Sequence, residues 1–258
     1  MKSLLYSLAF ILLLVAGALA FTKQRDPMAK CKQLIVVMTA DWNSSQATLR
    51  RYSRGNIRMP WKPVGEPIAV MIGKNGLAWG KGAIGVNALA AKPEDPVKKE
   101  GDGRAPAGVF YLGRAFGYTT KPMPGWKMPY VYLNSSVECV DDSASKFYNQ
   151  IIDRSTIAPD WNSSEQMLRN DDLYRWGVLV EHNSSPAQAG AGSCIFMHIW
   201  RGPRQPTVGC TAMPQADLES LIAWLNPAST PLLVQLPTAE YEKLREGWRW
   251  PQMKISTR

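Results

Sequence analysis

Apolar residues in this chain gather in short runs rather than in long helical stripes. Leu34-Ile35-Val36-Val37-Met38-Thr39 is the first β-branched run of the interior sequence. Ile68-Ala69-Val70-Met71-Ile72, Val109-Phe110-Tyr111-Leu112 and Tyr130-Val131-Tyr132-Leu133 continue the series, followed by Gly177 to His182, Cys194 to Trp200 and Leu232 to Leu236. Runs of this length, rich in β-branched and aromatic residues and bounded by turn formers, predict strands. Gly73-Lys74-Asn75-Gly76 and Gly101-Asp102-Gly103 are typical of the punctuation between them. Two segments read as helices. One covers about 143–152; the other follows Pro214, carries Leu218, Leu221, Ile222 and Leu225 on one face, and ends before Pro227. The pattern predicts a mainly β fold, a β-rich α+β sandwich with a few packed helices.

The first twenty residues follow a different pattern. Lys2 precedes an apolar stretch from Leu4 to Val15, and Ala18-Leu19-Ala20 has the small-x-small form of a processing site. The reading is a signal peptide over 1–20, cleaved after Ala20, with no stable membrane insertion afterwards. The remaining 238 of 258 residues contain no low-complexity linker, so 21–258 is read as a single domain. Loss of Lys2 takes the net charge from +9 to +8. A basic exported protein suits an anionic surface such as a bacterial wall polymer. The lysines and arginines are scattered, with neither a basic run nor a nucleic-acid-binding motif, so nucleic acid is not an expected partner. Four Asn-Ser-Ser sequons, beginning at Asn43, Asn134, Asn162 and Asn183, are read as polar turns, with glycosylation the alternative in a eukaryotic host.

The candidate chemistry lies near the end of the chain. If Cys194 to Trp200 is a strand, its alternation puts Cys194, Phe196, His198 and Trp200 on one face, so the imidazole shares its side with aromatic groups. With eleven residues between His198 and Cys210, Thr207-Val208-Gly209-Cys210 sets a cysteine after a glycine. That glycine relieves steric limits on a turn. The thiol then stands out of the turn, with the amides of Gly209, Cys210 or Thr211 as oxyanion donors. His198 would accept the thiol proton, making Cys210 a nucleophile. With Cys210 kept free, Cys31, Cys139 and Cys194 can form one disulfide at most. Cys194 lies four strand residues from His198, about 13 Å, which argues against its pairing with Cys210. Cys139–Cys194 is the preferred pairing, and a buried free Cys194 the alternative.

Gly192-Ser193-Cys194-Ile195-Phe196-Met197-His198 and Thr207-Val208-Gly209-Cys210-Thr211-Ala212-Met213 together resemble the L,D-transpeptidase catalytic domain of YkuD type. Val70 to Gly76 and the loop Lys99-Glu100-Gly101-Asp102-Gly103-Arg104-Ala105-Pro106-Ala107-Gly108 look like the family's early strands and its loop before the cleft. The similarity runs from about Leu34 to Leu236. It implies an L,D-transpeptidase-like fold and a cysteine acyl-enzyme acting on peptidoglycan stem peptides, with no metal or organic cofactor. Carried over, Cys210 is the nucleophile, His198 the base and Gly209 a turn and oxyanion element. The chain departs from the family in having Val208 where most members have a second histidine, and Ala212 where many have Arg or Asn. Those departures bear on acceptor and cross-link type, and leave a hydrolase with the same site as the alternative. A wall-binding protein without catalysis is a further one.

Substrate-binding candidates are Arg104 in the glycine loop, Arg201 and Arg204 between His198 and Cys210, Trp200, and His182. Guanidinium suits a substrate carboxylate. His182 is placed near Cys194, away from His198, and is read chiefly as a supporting residue. Glu138, Asp141 and Asp142, clustered around Cys139, are read as the acidic start of an exposed helix, with binding of the diaminopimelate amine or of a cation as the alternative. The expected location is periplasmic or secreted.

Overall fold

The computed structural model describes residues 26–85, 89 and 91–252; the segment read as a signal peptide lies outside them. Thirteen strands are described: β1 (Gln33–Thr39), β2 (Gln46–Ser53), β3 (Lys62–Met71), β4 (Leu77–Trp79), β5 (Ala105–Gly117), β6 (Tyr130–Tyr132), β7 (Val137–Val140), β8 (Ile151–Asp153), β9 (Ser164–Gln166), β10 (Trp176–Val180), β11 (Phe196–Ile199), β12 (Thr211–Met213) and β13 (Leu232–Pro237). Two α-helices follow β12 and β13 respectively, α1 (Gln215–Trp224) and α2 (Thr238–Leu244). The fold is β-rich α+β, as the hydrophobic pattern predicts.

The main sheet closes on itself. Its hydrogen-bonded path runs β5, β13, β1, β2, β3, β12, β11 and β10, and β10 pairs back onto β5. Closure removes most open strand edges. The joint between β12 and β3 is the narrowest, one pair at Ala212 and Met71. β1 and β13 run parallel with Leu34 opposite Leu232. Their residues are buried almost without alternation, because one face looks into the core and the other is covered. α2 packs on these two strands, and α1 packs on β10 and β11. Leu218, Leu221 and Ile222 of α1 are fully buried, at the spacing that predicted the helix.

A second, three-stranded sheet of order β8-β7-β9 stands beside the main one. It occupies the region where a helix over 143–152 was predicted, and that prediction is corrected. Asn149 has a left-handed φ of 63°, Ser145 Oγ donates to Asp160 Oδ1 at 2.5 Å, and Ile151–Asp153 pairs with β7. Local side-chain hydrogen bonds and strand pairing outweigh the helical spacing there. Glu138 is consequently not at a helix start. It is buried in β7, with Arg154 at 2.9 Å.

Candidate active site

β11 and β12 lie parallel, with Met197 opposite Thr211 and His198 opposite Ala212. Alternation then divides the pair into two faces. Met197, Ile199 and Met213 enter the main core. Phe196 and Cys210 belong to a second apolar cluster that also holds Phe116, Cys139, Tyr174 and Cys194. His198 lies on this second face, in edge contact with Tyr174 at 5.1 Å between ring centroids. A cleft of about 540 Å³ opens above it, and both Cys210 and His198 line it.

The turn before Cys210 is fastened by Thr207. Its hydroxyl donates to the Cys210 carbonyl at 2.6 Å and accepts from Gly209 N–H at 3.1 Å. The Gly209 amide is therefore engaged within the turn, which corrects its expected oxyanion role. Nor does Gly209 serve through a left-handed backbone. Its place is set by closeness, since a Cβ there would meet Arg104 O at 3.2 Å and Ile195 Cδ1 at 3.3 Å.

Cys210 does not stand out of the turn as the sequence led one to expect; it is 6% exposed. Phe196 N–H donates to its Sγ at 3.3 Å, and the thiol donates to Cys194 O at 3.6 Å. Cys194 is held over it by a disulfide to Cys139 and by Asn149 Oδ1, which accepts from Cys194 N–H at 2.9 Å. The preferred pairing is thus formed. The distance argument used against Cys194–Cys210 pairing does not hold, because Cys194 has a left-handed φ of 53°, lies outside β11 and sits directly beside Cys210.

Burial sets the resting protonation of the pair. It pushes the Cys210 thiol up to about 12, aided by the nearby Glu165 charge and opposed by the Phe196 amide and the Tyr174 hydroxyl. It pulls His198 down to about 4 against the opposing bond to Ile199. At neutral pH the pair is thiol and neutral imidazole. Nδ1 of His198 lies 2.7 Å from the Ile199 carbonyl, so Nδ1 carries the proton and Nε2 is left as the basic atom.

The cleft wall holds residues that the sequence did not single out. Tyr174 donates to Glu165 Oε1 at 2.5 Å. Arg169 lies over the Tyr174 ring at 5.1 Å and is fixed by Asp171 at 2.7 and 2.8 Å. Glu165 and Tyr174 belong to no run or motif, and only the pairing of β9 with β7 brings Glu165 opposite Cys139.

Of the substrate-binding candidates, Arg201 lines the cleft and pairs with Asp171 at 3.3 Å. Arg104 is corrected to a structural clamp: its guanidinium donates to Leu77 O at 2.8 Å, Trp42 O at 3.2 Å and Asn43 Oδ1 at 3.3 Å. Trp200 and Arg204 are not among the residues lining the cleft. His182 is buried on Phe110, with Nε2 3.0 Å from Ala191 O, and burial pulls it down to about 4. It stands five residues beyond Gly177, the residue opposite His198. Val208, where the family's second histidine would stand, is 75% exposed at the cleft rim. Among the described residues no group of three or more His, Cys, Asp or Glu side chains is arranged to hold a metal ion. No helix among them is long and apolar enough to cross a membrane.

The family described as L,D-transpeptidase catalytic domain matches residues 38–234. Comparison with curated proteins and with solved structures gave no match. The matched span covers β2 to β12 whole and reaches from β1 into β13, including the Cys210 turn and the His198 strand. The chain therefore belongs to the L,D-transpeptidase catalytic domain family, whose members act on peptidoglycan.

Proposed function

We propose that this chain is a cysteine acyltransferase that cross-links peptidoglycan stem peptides, with Cys210 as nucleophile and His198 as general base. The observation that carries the reading is the placement of His198 on β11 and of Cys210 immediately before the parallel neighbour β12, both lining one cleft. On substrate binding, Sγ of Cys210 attacks the stem-peptide carbonyl while Nε2 of His198 takes the thiol proton. The imidazolium returns that proton to the departing amine, leaving a thioester on Cys210. An amine of a second stem then attacks the thioester, forms the cross-link and restores the thiol. Because the resting pair is neutral, proton transfer is coupled to attack and no thiolate need accumulate beforehand. Arg201 and Arg169 supply positive charge at the cleft for a substrate carboxylate.

We further propose that the protein works outside the cytoplasm, in the periplasm or as a secreted protein. The signal-like pattern over 1–20 supports this, as does the Cys139–Cys194 disulfide, since such bonds persist in oxidising compartments.

The test is mass spectrometry of purified tetrapeptide muropeptides incubated with the protein, beside Cys210→Ala. Covalent dimers formed only by the intact protein are the expected result. Shortened monomers without dimers would make it a carboxypeptidase or endopeptidase with the same site. Absence of any product would favour a wall-binding protein.

A further inference from the structure

Aminolysis of a thioester by an ammonium group requires the removal of two protons. One is lost to free the nitrogen lone pair, and a second leaves once the new amide has formed. His198 can take one of them and deliver it to the departing Cys210 sulfur. The other needs a separate acceptor in the cleft, whereas water is already neutral and its attack needs only the proton transfer through His198.

Three carboxylates line the cleft: Glu100, Asp141 and Glu165. Glu100 is occupied by Tyr148, by Ser193 Oγ at 2.7 Å and by Gly101 N–H at 3.3 Å. Asp141, like Glu165, is held at one oxygen, its Oδ1 accepting from Ser163 Oγ at 2.5 Å, but of the two only Glu165 stands close enough for its charge to act on the Cys210 thiol. Glu165 is held at one oxygen only. Its Oε1 accepts from Tyr174 at 2.5 Å, and Arg169 Nη1 stands 3.7 Å from that same atom. That arginine spends its hydrogen bonds on Asp171. Among the described residues no hydrogen bond reaches Oε2 of Glu165. The attachment is rigid: Glu165 lies opposite Cys139 in the β7–β9 pairing, Cys139 is bonded to Cys194, and the Cys194 carbonyl accepts from the Cys210 thiol.

We infer that Glu165, oriented by Tyr174, binds the ammonium of the acceptor substrate through Oε2 and takes its first proton. This inference rests on the transpeptidase reading and adds the residue that receives the acceptor's ammonium. In the acyl-enzyme, the ammonium donates its proton to the Glu165 carboxylate, and the freed amine attacks the thioester carbonyl. His198 takes the second proton and passes it to Cys210 as the carbon–sulfur bond breaks. The products are an amide, a thiol and a protonated Glu165, which returns its proton to solvent. Burial raises the Glu165 carboxyl above its ordinary range, with Asp141 and Asp171 acting in the same sense and Tyr174 and Arg169 opposing. A raised carboxyl is a better proton acceptor at neutral pH.

The experiment follows acylated protein after a donor stem peptide is supplied, with and without an amine acceptor. Intact-mass measurement reports the Cys210 thioester, and product analysis gives the ratio of cross-linked to hydrolysed product. For Glu165→Gln, which keeps the size and the bond to Tyr174, the ratio should fall by about 100-fold at pH 7. The deficit should shrink toward pH 10, where more of the acceptor amine is already neutral. Glu165→Asp, which keeps the charge, should retain most of the wild-type ratio and shows that the loss is not one of folding. A wild-type ratio in Glu165→Gln overturns the inference, as does a deficit equal at every pH and shared by Glu165→Asp. If wild-type Cys210 acylates but releases only to water, the inference falls and the acyl-enzyme survives. If Cys210 is never acylated, the transpeptidase reading falls with it.

Discussion

Both histidines of the chain are buried and neutral, and this couples the protein's stability to acid. Burial draws each down to about 4 from an ordinary 6.5. Between those values the unfolded chain binds more protons than the folded one, so stability is full above pH 6.5 and declines as pH falls toward 4. Each site contributes on the order of 3 kcal/mol to that decline. Urea unfolding midpoints measured between pH 7 and 4 should fall steadily, and a flat profile would refute the neutral burial of His198 and His182. The same burial governs thiol reactivity. Cys31 and Cys210 are both pushed up to about 12, so alkylation of the resting protein by iodoacetamide should be slow at pH 7 and still rising at pH 10. A plateau near pH 7 at Cys210 would mean a preformed thiolate–imidazolium pair instead. His198→Ala should lower acylation by about 100-fold or more while leaving the thiol present, as read by intact mass.

At the scale of elements, the small sheet and the strands that carry the cleft depend on one another. Cys139→Ser removes the bond that spans 55 residues between β7 and the segment before β11. The expected loss is about 2–4 kcal/mol of stability, with a larger loss of cross-linking than of hydrolysis because Glu165 rides on the same sheet. Thermal melts and the product ratio check the two parts separately. Gly177 is a second joint. It lies opposite His198 in β10, and a Cβ there would meet the Phe116 ring at 2.2 Å. Phe116 in turn packs edge-on against Phe196 and Tyr174. Gly177→Ala should destabilise by roughly 1–3 kcal/mol and slow acylation by displacing that ring set, measured by denaturant midpoint and by intact mass. The predicted helix over 143–152 failed at this same scale. Its residues have a helical spacing of apolar side chains, but Ile151–Asp153 has a strand partner in Val137–Cys139 that only the folded chain provides.

For the whole molecule, the runs at 34–39, 232–236 and 194–200 were legible because strands buried on both faces read as unbroken apolar segments. Strand β2, Gln46–Ser53, was not legible, since its Thr, Arg and Ser side chains reach solvent and its pairing with β1 and β3 is made by backbone. Cys210 and His198 were singled out for another reason: cysteine chemistry needs a base, and the residues around both resemble a family pattern; the fold brings the two to one cleft. The cleft wall of Glu165, Tyr174 and Arg169 carried no such signal. Its members are ordinary polar and aromatic residues until a sheet pairing and a disulfide bring them to Cys210. The sequence by itself determined the β-rich class, the α1 helix and the family, and named Cys210 and His198 as the candidate pair, because periodicity and motif spacing are local. Tertiary structure alone decided that the sheet closes, that Cys194 covers Cys210, that the Arg104 guanidinium is held by backbone carbonyls, and that the resting pair is neutral. Each of these depends on distances between residues far apart in the chain and on the exclusion of water that follows from them.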